Sequence, residues 1–270
     1  EDRVKRWSFL PHKYIPKFIK KETFYYKYRL LEGEVLSQRL NPKILDSLLV
    51  VLQKSFWNIR PQKPMNPVNL NDFYYKKTLS RIKHYLDRFE KTEKECIIND
   101  KTVLPAVKLL DYVNWDRIYN NVHWSRFHGD LHSENIIIDN NGVFGFIDWR
   151  QNFAGEFEFG DAYYDLAKLR HGFLVNHKIA KNKMFKITEH SNVNIELSIL
   201  QYSNLIECEN FFAGWCKFSG FDNYKINILT ALIFLNIAGL HDYPYSKFLY
   251  YYGRHLLNKE IEKNDPNNTQ

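Results

Sequence analysis

The chain has 270 residues, of which 44% are hydrophobic, including 20 Phe and 18 Tyr. This is enough apolar material for one large domain or two modest ones, and it excludes disorder except in the C-terminal run KNDPNNTQ, residues 263–270. The formal charge of +7 is concentrated at one end, because residues 1–30 contain nine Lys or Arg and only three Asp or Glu. Solvated strands or a nearby anionic ligand would explain this basic segment, and we expect no nucleic acid as a partner.

The few cysteines favour a reducing compartment. Cys96, Cys208 and Cys216 form no CxxC pair, so we predict no disulfide framework and expect a cytoplasmic protein. Cys208 and Cys216 are expected to be buried thiols. No signal-peptide pattern opens the sequence, and the longest apolar stretch, residues 228–240, is too short to span a bilayer. That stretch predicts a buried helix, and we expect no membrane partner.

The first third of the chain changes from strand to helix patterns. Residues 13–19 and 23–31 predict two strands, the second because aromatic and basic residues alternate in its middle. Gly33 ends this pattern. Helical spacing of apolar residues then begins at an Asn-Pro pair and predicts a helix over residues 41–57. Three prolines mark a loop within residues 61–67.

The remainder predicts helices interrupted by one hairpin. Residues 71–89 form an amphipathic pattern, and residues 104–122 predict a further helical segment. Two short apolar runs around an Asn/Gly turn predict a hairpin over residues 135–147. Residues 160–175 return to helix, and the chain is predicted to stay helical to about residue 259. This order of elements indicates an α+β fold.

The run FHGDLHSENIIID, residues 127–139, places ionisable side chains directly before the hairpin. Asn135 opens its first strand and Asp148 follows its second, and antiparallel strands bring these ends to within about 4.5–5.5 Å of each other. Asp130 lies in the loop that feeds the same edge. Carboxylate and amide oxygens suit Mg²⁺, which fills its remaining positions with water and phosphate. The three residues therefore predict a magnesium site, and a polar-ended hairpin that binds nothing is the alternative.

These motifs resemble those of a known enzyme family. HGDLHSEN resembles the catalytic loop of the aminoglycoside phosphotransferase and choline kinase family, with His128, Asp130 and Asn135 on its His-x-Asp and Asn positions. FIDWR is similar to the metal-binding segment of that family and places Asp148 on the metal aspartate. GDAYYDLAKL resembles the helix that follows, with Asp161 on its first acidic position. FYYKYRLLEGEVLS is similar to the last strand of a small lobe that runs into the hinge.

The resemblance implies a protein-kinase-like fold with a mostly helical C-terminal lobe. Residues 1–33 would be a truncated remnant of the small lobe, including its hinge, and residues 34–270 the C-terminal lobe with the catalytic loop and the metal site. The implied reaction is Mg²⁺-dependent transfer of the γ-phosphate of ATP or GTP to a hydroxyl of a sugar, amino alcohol or choline-like compound.

The resemblance also assigns roles to individual residues. Asp130 would be catalytic, Asn135 and Asp148 would hold the metal, and His128 would brace the loop. Asp161 would brace the loop by a hydrogen bond or cap its own helix. The remaining assignments are nucleotide contacts through the hinge backbone (Tyr28, Arg29, Leu30, Leu31) and phosphate or acceptor contacts (His132, Ser133, Arg150).

Two alternative functions remain open, one because part of the family pattern is missing and one because of a His-x-Asp-x-His run. No glycine precedes Gly33, so a phosphate-covering loop cannot be identified, and the chain starts at Glu1 rather than Met. We therefore expect an upstream domain in a longer protein, and a non-catalytic kinase-like binding module is the first alternative. The second is a metal-dependent hydrolase in which His128, Asp130 and His132 bind Zn²⁺ together with Asp148.

Overall fold

The computed structural model describes residues 2–63, 70–89, 92–191 and 193–265. Residues 64–67 of the predicted proline loop and residues 266–270 of the predicted disordered tail lie outside these ranges. The helices are α1 (Asp2–Trp7), α2 (Pro42–Leu52), α3 (Lys77–Phe89), α4 (Ala106–Asp111), α5 (Trp115–Asn120), α6 (Ala162–Leu174), α7 (His177–Lys181), α8 (Ser203–Phe218), α9 (Asn223–Ala238) and α10 (Tyr245–Lys263). The strands are β1 (Phe18–Lys21), β2 (Tyr26–Tyr28), β3 (Glu34–Val35), β4 (Cys96–Ile98), β5 (Lys101–Val103), β6 (Trp124–Arg126), β7 (Ile136–Ile138), β8 (Phe144–Phe146), β9 (Phe159–Asp161), β10 (Phe185–Ser191) and β11 (Asn194–Ile199).

The chain divides into two compact units, and the α+β class predicted from the sequence is confirmed. The lobe boundary predicted after residue 33 stays a prediction. The first unit comprises Glu1–Pro67, Val122–Asn176 and Tyr202–Gly220, and the second comprises Val68–Asn121, His177–Gln201 and Phe221–Gln270.

The predicted hairpin of the first unit is present as β7–β8, with a register that places Asn135 opposite Ile147 and not opposite Asp148. Ile136 lies opposite Phe146, and both are fully buried. At the turn, the carboxylate of Asp139 accepts hydrogen bonds at 2.8 Å from the backbone amides of Asn141 and Val143. This local bonding fixes the turn, so the ends of the two strands meet at a defined edge.

Strand β3 adds to the hairpin and makes a three-stranded sheet, β3–β7–β8. Gly33 directly precedes β3 and has a φ of +132°, a backbone conformation that residues with a side chain rarely adopt. A Cβ at this position would lie 2.5 Å from the carbonyl oxygen of Ile138. A Cβ on Gly145 would lie 2.5 Å from Cδ1 of Leu31. The segment before β3 therefore packs closely on the β7–β8 hairpin, because neither Gly33 nor Gly145 has a side chain that would separate the two backbones.

The predicted helix starts of the first unit are present. The Asn41 side chain accepts a hydrogen bond from the amide of Ile44 at 3.0 Å, and Pro42 occupies the first helical position of α2. Helix α2 continues into a π-type turn over Gln53–Trp57, so the helical segment ends where the sequence predicts. The N-terminal segment forms an antiparallel pair, in which β2 lies within the predicted second strand, whereas β1 begins at Phe18 and shares only residues 18 and 19 with the predicted first strand.

The second unit contains α9, which is buried along nearly all of its length and packs on α3 and α10. This confirms the buried helix predicted at residues 228–240. The aromatic rings of Tyr85 and Tyr250 stack with their centroids 3.9 Å apart between α3 and α10. Residues 104–122 form two short helices, α4 and α5, because Asn114 caps the second helix through the amide of Arg117.

One helix prediction is wrong. Residues 185–199 form the antiparallel strands β10 and β11 instead of helix, and these join β4 and β5 in a four-stranded sheet. The physical reason is the period of burial, since Ile195 and Leu197 are buried and the residues between and beside them are exposed. A period of two residues buries one face of a strand and would not bury one face of a helix.

All three cysteines are buried free thiols, as predicted for Cys208 and Cys216. In the described part of the chain, no helix combines the length and the apolar character needed to cross a membrane.

We expect Gly33→Ala to lower the free energy of unfolding by about 2–4 kcal/mol, because a Cβ would both strain φ and strike a backbone carbonyl. Gly142→Ala is the matched control, since Gly142 also has a positive φ, +78°, but no atom lies within 4 Å of a Cβ there. Its expected cost is about 1 kcal/mol. Urea unfolding of both variants measures the difference, and equal losses would show that the close approach at Gly33 is unimportant.

Candidate active site

The loop between β6 and β7 carries Asp130 and is closed by hydrogen bonds within itself. The amide of His132 donates to the carbonyl of Asp130 at 3.0 Å, and the amide of Asn135 donates to the carbonyl of His132 at 2.9 Å. The Asn135 side chain also donates through Nδ2 to the Asp130 carbonyl, at 2.9 Å. The loop therefore fixes the Asp130 backbone and the Asn135 amide relative to each other.

The hairpin brings Asp148 beside Asn135. The amide of Ile147 donates to the carbonyl of Asn135 at 3.0 Å, so Asp148 follows directly after the residue paired with Asn135. Asp148 has a φ of +54°, which an aspartate tolerates better than most residues and which is often found at functional sites. Its side chain is half exposed. The backbone places the two residues at the same end of the hairpin, and the convergence of their side-chain oxygens stays a prediction.

A cation already lies at Asp148. Nη1 of Arg3 is 3.3 Å from Oδ1 of Asp148, and the Arg3 carbonyl accepts a hydrogen bond from Nε1 of Trp149 at 2.9 Å. Burial, and then the charge of Asp148, raise the pKa of Tyr28, so the predicted hinge approaches the same carboxylate. The sequence motifs did not indicate Arg3, since 145 residues separate it from Asp148.

The donor set fits a divalent cation of the magnesium type. Nδ2 of Asn135 donates its hydrogen bond to the Asp130 carbonyl. The side-chain oxygen of Asn135 is therefore the atom that could bind a cation. The guanidinium of Arg3 shows that Asp148 attracts positive charge. Two protein ligands suffice for Mg²⁺, because this ion keeps water and nucleotide phosphates in its other positions.

His128 is fully buried and braces the loop. Its Nε2 lies 2.9 Å from the carbonyl of Ile147, and its Nδ1 accepts the amide of Asp130 at 3.2 Å. Burial lowers the pKa of His128 to about 3, so the ring is neutral at physiological pH. Both ring nitrogens are engaged, and this leaves neither for a Zn²⁺ ion.

The hydrolase alternative therefore has no support. Among the residues that the structure describes, no group of three or more His, Cys, Asp or Glu side chains could hold a metal ion.

Asp165 of α6, which the sequence motifs did not indicate, holds the loop between β6 and β7. Its two carboxylate oxygens accept the amides of His128 at 2.7 Å and Gly129 at 2.6 Å, and Nε1 of Trp57 donates to it at 3.4 Å. Burial raises the pKa of Asp165 to about 6, against the opposing effect of these donors. Asp161 instead caps α6, through the amide of Tyr163 at 3.2 Å.

Arg6 holds the same loop through its carbonyl groups. Its guanidinium is completely buried and donates to the carbonyls of Phe127, His128 at 2.9 Å, Arg150 at 2.5 Å and Phe157 at 3.1 Å. It also lies 3.7 Å from the centroid of the Phe127 ring. Burial lowers the pKa of Arg6, and the charge of Asp165 opposes that shift. Helix α1 is thus tied to the catalytic loop.

Lys168 supplies a cation to Asp130. Its Nζ lies 2.8 Å from Oδ1 of Asp130, and the lysine side chain is only 13% exposed. Asp165 and Lys168 of α6 follow its N-cap, Asp161, at a spacing of four and then three residues, which places them on one face of the helix. This spacing is the sequence signal that could have identified the two missed residues.

The residues predicted to contact phosphate or the acceptor are His132, Ser133 and Arg150. Nε2 of His132 lies 3.9 Å from Oδ2 of Asp130. Ser133 is buried, and a Cβ on Gly172 would lie 3.8 Å from its Oγ. The amide of Arg150 donates to the carbonyl of His128 at 3.0 Å. Of these three residues, Ser133 is buried, whereas His132 and Arg150 are partly exposed.

The predicted hinge residues follow β2. The amide of Arg29 donates to the carbonyl of Lys17 at 2.8 Å, Leu30 is 84% exposed, and Leu31 packs on Gly145. Their role as a nucleotide hinge stays a prediction.

The family model for the phosphotransferase enzyme family matches residues 20–176, which is more than half of the chain. The chain belongs to this family. The family resemblance deduced from the loop, hairpin and helix motifs is thereby confirmed, together with the kinase-like fold class and the prediction of a small-molecule phosphotransferase.

Solved structures similar to this phosphotransferase include two kinases. Plasmodium vivax ethanolamine kinase is 17% identical, with 96% of this chain and 71% of the other covered at a TM-score of 0.44. Choline kinase from Cryptosporidium parvum Iowa II is 11% identical, with 100% and 81% covered at a TM-score of 0.44. The comparison with curated proteins gave no match.

We expect the stability of the phosphotransferase to fall in acid because of His128. The unfolded chain protonates this ring below about pH 6.5, whereas the folded ring stays neutral down to about pH 3. The unfolded state therefore binds more protons in this window, and stability present above pH 6.5 is lost as the pH falls, by about 1 kcal/mol per pH unit.

The measurement is urea unfolding between pH 8 and pH 4 for the wild type, His128→Gln and the exposed control His12→Gln. The stability difference between wild type and His128→Gln should shrink on acidification, and that for His12→Gln should stay constant. Parallel curves for wild type and His128→Gln would refute the assignment.

Arg6→Met should cost about 3–5 kcal/mol of stability, because it leaves buried carbonyls and Asp165 without their cation. The neighbouring Lys5→Met is the control. Lys5 is exposed and lies 3.9 Å from the Phe157 ring centroid, so its loss should cost less than about 1 kcal/mol. Thermal or urea unfolding compares the two, and a similar small loss for both would contradict the anchoring role of Arg6.

Proposed function

We propose that this phosphotransferase moves the γ-phosphate of ATP or GTP to a hydroxyl group of a small molecule in a Mg²⁺-dependent reaction. The observation that carries the proposal is the position of Asp130. Its carboxylate lies beside Lys168, on a loop held by Asp165 and Arg6, next to the hairpin end that carries Asn135 and Asp148.

Asp130 is a carboxylate throughout the physiological pH range. Burial alone would raise its pKa, but the charges of Lys168 and His132 outweigh burial and hold the pKa of Asp130 at about 2. A group with such a low pKa is a weak base. It is suited to orienting the acceptor hydroxyl by accepting its hydrogen bond, and to taking the proton late in the reaction.

Late transfer of the proton to Asp130 fits phosphoryl transfer, because the transition state of that reaction is loose. The acceptor oxygen forms a bond to the γ-phosphorus while the bond from that phosphorus to the bridging oxygen of the nucleoside diphosphate breaks. The proton of the acceptor hydroxyl passes to the carboxylate of Asp130. Positioning and charge neutralisation therefore supply most of the rate acceleration.

Asn135 and Asp148 are the residues that would hold Mg²⁺. The bound ion would neutralise phosphate charge and orient the nucleotide. Arg3 must leave Asp148 for this to occur. Because the pair is about half exposed, its loss costs at most about 1 kcal/mol, so Arg3 is a weak competitor.

The finer assignments are part of this proposal. The backbone of residues 28–31 would contact the nucleotide base, and the contacts of His128 support its bracing role. Ser133 remains a proposed phosphate contact. An upstream part of the small lobe and a cytoplasmic location, which the free cysteines favour, also stay proposals.

We expect Asp130→Asn to lower phosphate transfer by about 10²- to 10⁴-fold, because the amide cannot accept the hydroxyl proton. Asp46→Asn, at an exposed position of α2, is the control and should keep full activity. The assay follows transfer from labelled ATP and GTP to a panel of hydroxyl compounds, with and without Mg²⁺, and unfolding curves verify that both variants fold. Unchanged turnover in Asp130→Asn would favour the non-catalytic binding module instead.

A further inference from the structure

The side chain of Asp130 is held at one of its two oxygens. Nζ of Lys168 lies 2.8 Å from Oδ1, which is the distance of a charge-assisted hydrogen bond. Nε2 of His132 lies 3.9 Å from Oδ2, which is too long for a hydrogen bond. Among the residues that the structure describes, none donates a hydrogen bond to Oδ2. The two oxygens are therefore unequal, since Lys168 binds Oδ1 while Oδ2 keeps its capacity to accept a hydrogen bond.

Helix α6 sets the position of Lys168 on the loop. Asp165 binds the amides of His128 and Gly129 through its two oxygens. Lys168 follows three residues later, about 4.5 Å further along the helix, and its ammonium group reaches the next residue of the loop, Asp130. One helix therefore fixes both the backbone of the loop and the carboxylate that follows.

The ammonium group of Lys168 is confined and charged. Its side chain is only 13% exposed, so most of the flexible stem is packed against protein. Burial works to lower the pKa of this lysine, but Tyr164 and Asp130 together raise it above its ordinary value. A lysine buried without an anion would instead lose its charge more easily. Lys168 is therefore a fixed cation that contacts Asp130.

An aspartate does not fix the plane of its own carboxylate. The torsion χ2, which turns the carboxylate about its bond to Cβ, has a broad distribution, so the two oxygens can exchange places or turn away from a substrate. Binding of Oδ1 by Lys168 removes this freedom and gives Oδ2 of Asp130 a defined direction. The direction matters for the rate, because a misplacement of about 1 Å at a reacting group lowers rates about 100-fold.

We propose that Lys168 is a positioning residue of the phosphotransferase, which holds Oδ1 of Asp130 so that Oδ2 accepts the hydrogen bond of the acceptor hydroxyl. The inference rests on the proposed function of Asp130 and adds the residue that orients it. In the reaction, the O–H bond of the acceptor breaks and its proton passes to Oδ2. The acceptor oxygen binds the γ-phosphorus, and the bond from that phosphorus to the nucleoside diphosphate breaks. Lys168 neither gains nor loses a proton.

A double-mutant cycle separates positioning from an independent role of the lysine. The values of kcat and KM are measured for the wild type, Lys168→Met, Asp130→Asn and the variant that combines both substitutions. The acceptors are choline, ethanolamine, glucose and water, the last followed as hydrolysis of ATP. Lys43→Met, at an exposed position of α2, is the matched control and should keep full activity. Urea unfolding verifies that each variant folds.

Lys168→Met should lower kcat about 10- to 100-fold and change the KM for ATP less than about twofold, because the carboxylate loses its orientation while the nucleotide keeps its contacts. Since Lys168 acts through Asp130, the combined variant should be as slow as Asp130→Asn alone, to within about twofold. Three outcomes would each overturn the inference: losses that multiply in the combined variant, a higher KM for ATP at unchanged kcat, or full activity of Lys168→Met.

Rescue by propylamine gives a second readout, which a purely structural role would not produce and which decides the question if Lys168→Met does not fold. Lys168→Ala lacks the part of the lysine side chain that propylamine replaces, so the added amine should raise the kcat of this variant. It should not raise the rate of Asp130→Asn, which keeps the lysine but lacks the carboxylate. A rise in neither variant, or the same rise in both, would contradict positioning through Asp130.

The same measurements test the proposed function separately. Turnover of ATP that Asp130→Asn leaves unchanged refutes the role of Asp130 and, with it, the role of Lys168. Turnover that depends on Asp130 but not on Lys168 retains the proposed function and refutes only the positioning role. Wild-type protein that turns over no ATP with any of the acceptors refutes both.

Discussion

The loop that carries Asp130 depends on two buried charges, one that binds its backbone amides and one that binds its backbone carbonyls. Asp165 accepts the amides of His128 and Gly129, and Arg6 donates to the carbonyls of Phe127 and His128. A loop buried without such partners would leave polar backbone groups unsatisfied, at about 1–3 kcal/mol each. The two charges also compensate each other, because each acts on the pKa of the other. The position of Asp130 follows from this arrangement.

Two aspartates of the site show how surroundings separate chemically identical groups. Asp130 has a cation in contact, and its pKa lies near 2, whereas Asp165 is fully buried and has a pKa near 6. The first is a partly exposed, permanently charged group that is suited to meeting a substrate. The second has both oxygens occupied by backbone amides and serves the architecture. The separation of pKa values agrees with the division of roles between them.

The hairpin and its turn could be predicted from the sequence because their determinants are local: alternating burial, an Asp/Asn/Gly turn and a register set by both. Asp165 and Lys168 were within reach, since they share a helix face with Asp161. Arg6 and Arg3 were not, because their partners lie more than 120 positions away and no local pattern encodes such a contact. Strand β11 could also have been predicted, because apolar and polar residues alternate strictly along it, but no Asn-Gly turn marks its connection to β10.

The distance in sequence between Arg6 and its carbonyl partners has a consequence for biosynthesis. During translation α1 leaves the ribosome long before its partners, because Phe157, the last of them, is made about 150 residues later. At about 5–20 residues per second, the guanidinium stays hydrated for many seconds before the nascent chain offers it a binding partner. Maturation of the catalytic centre is therefore a late, long-range docking event, completed only after the strands and helices in between have been synthesised.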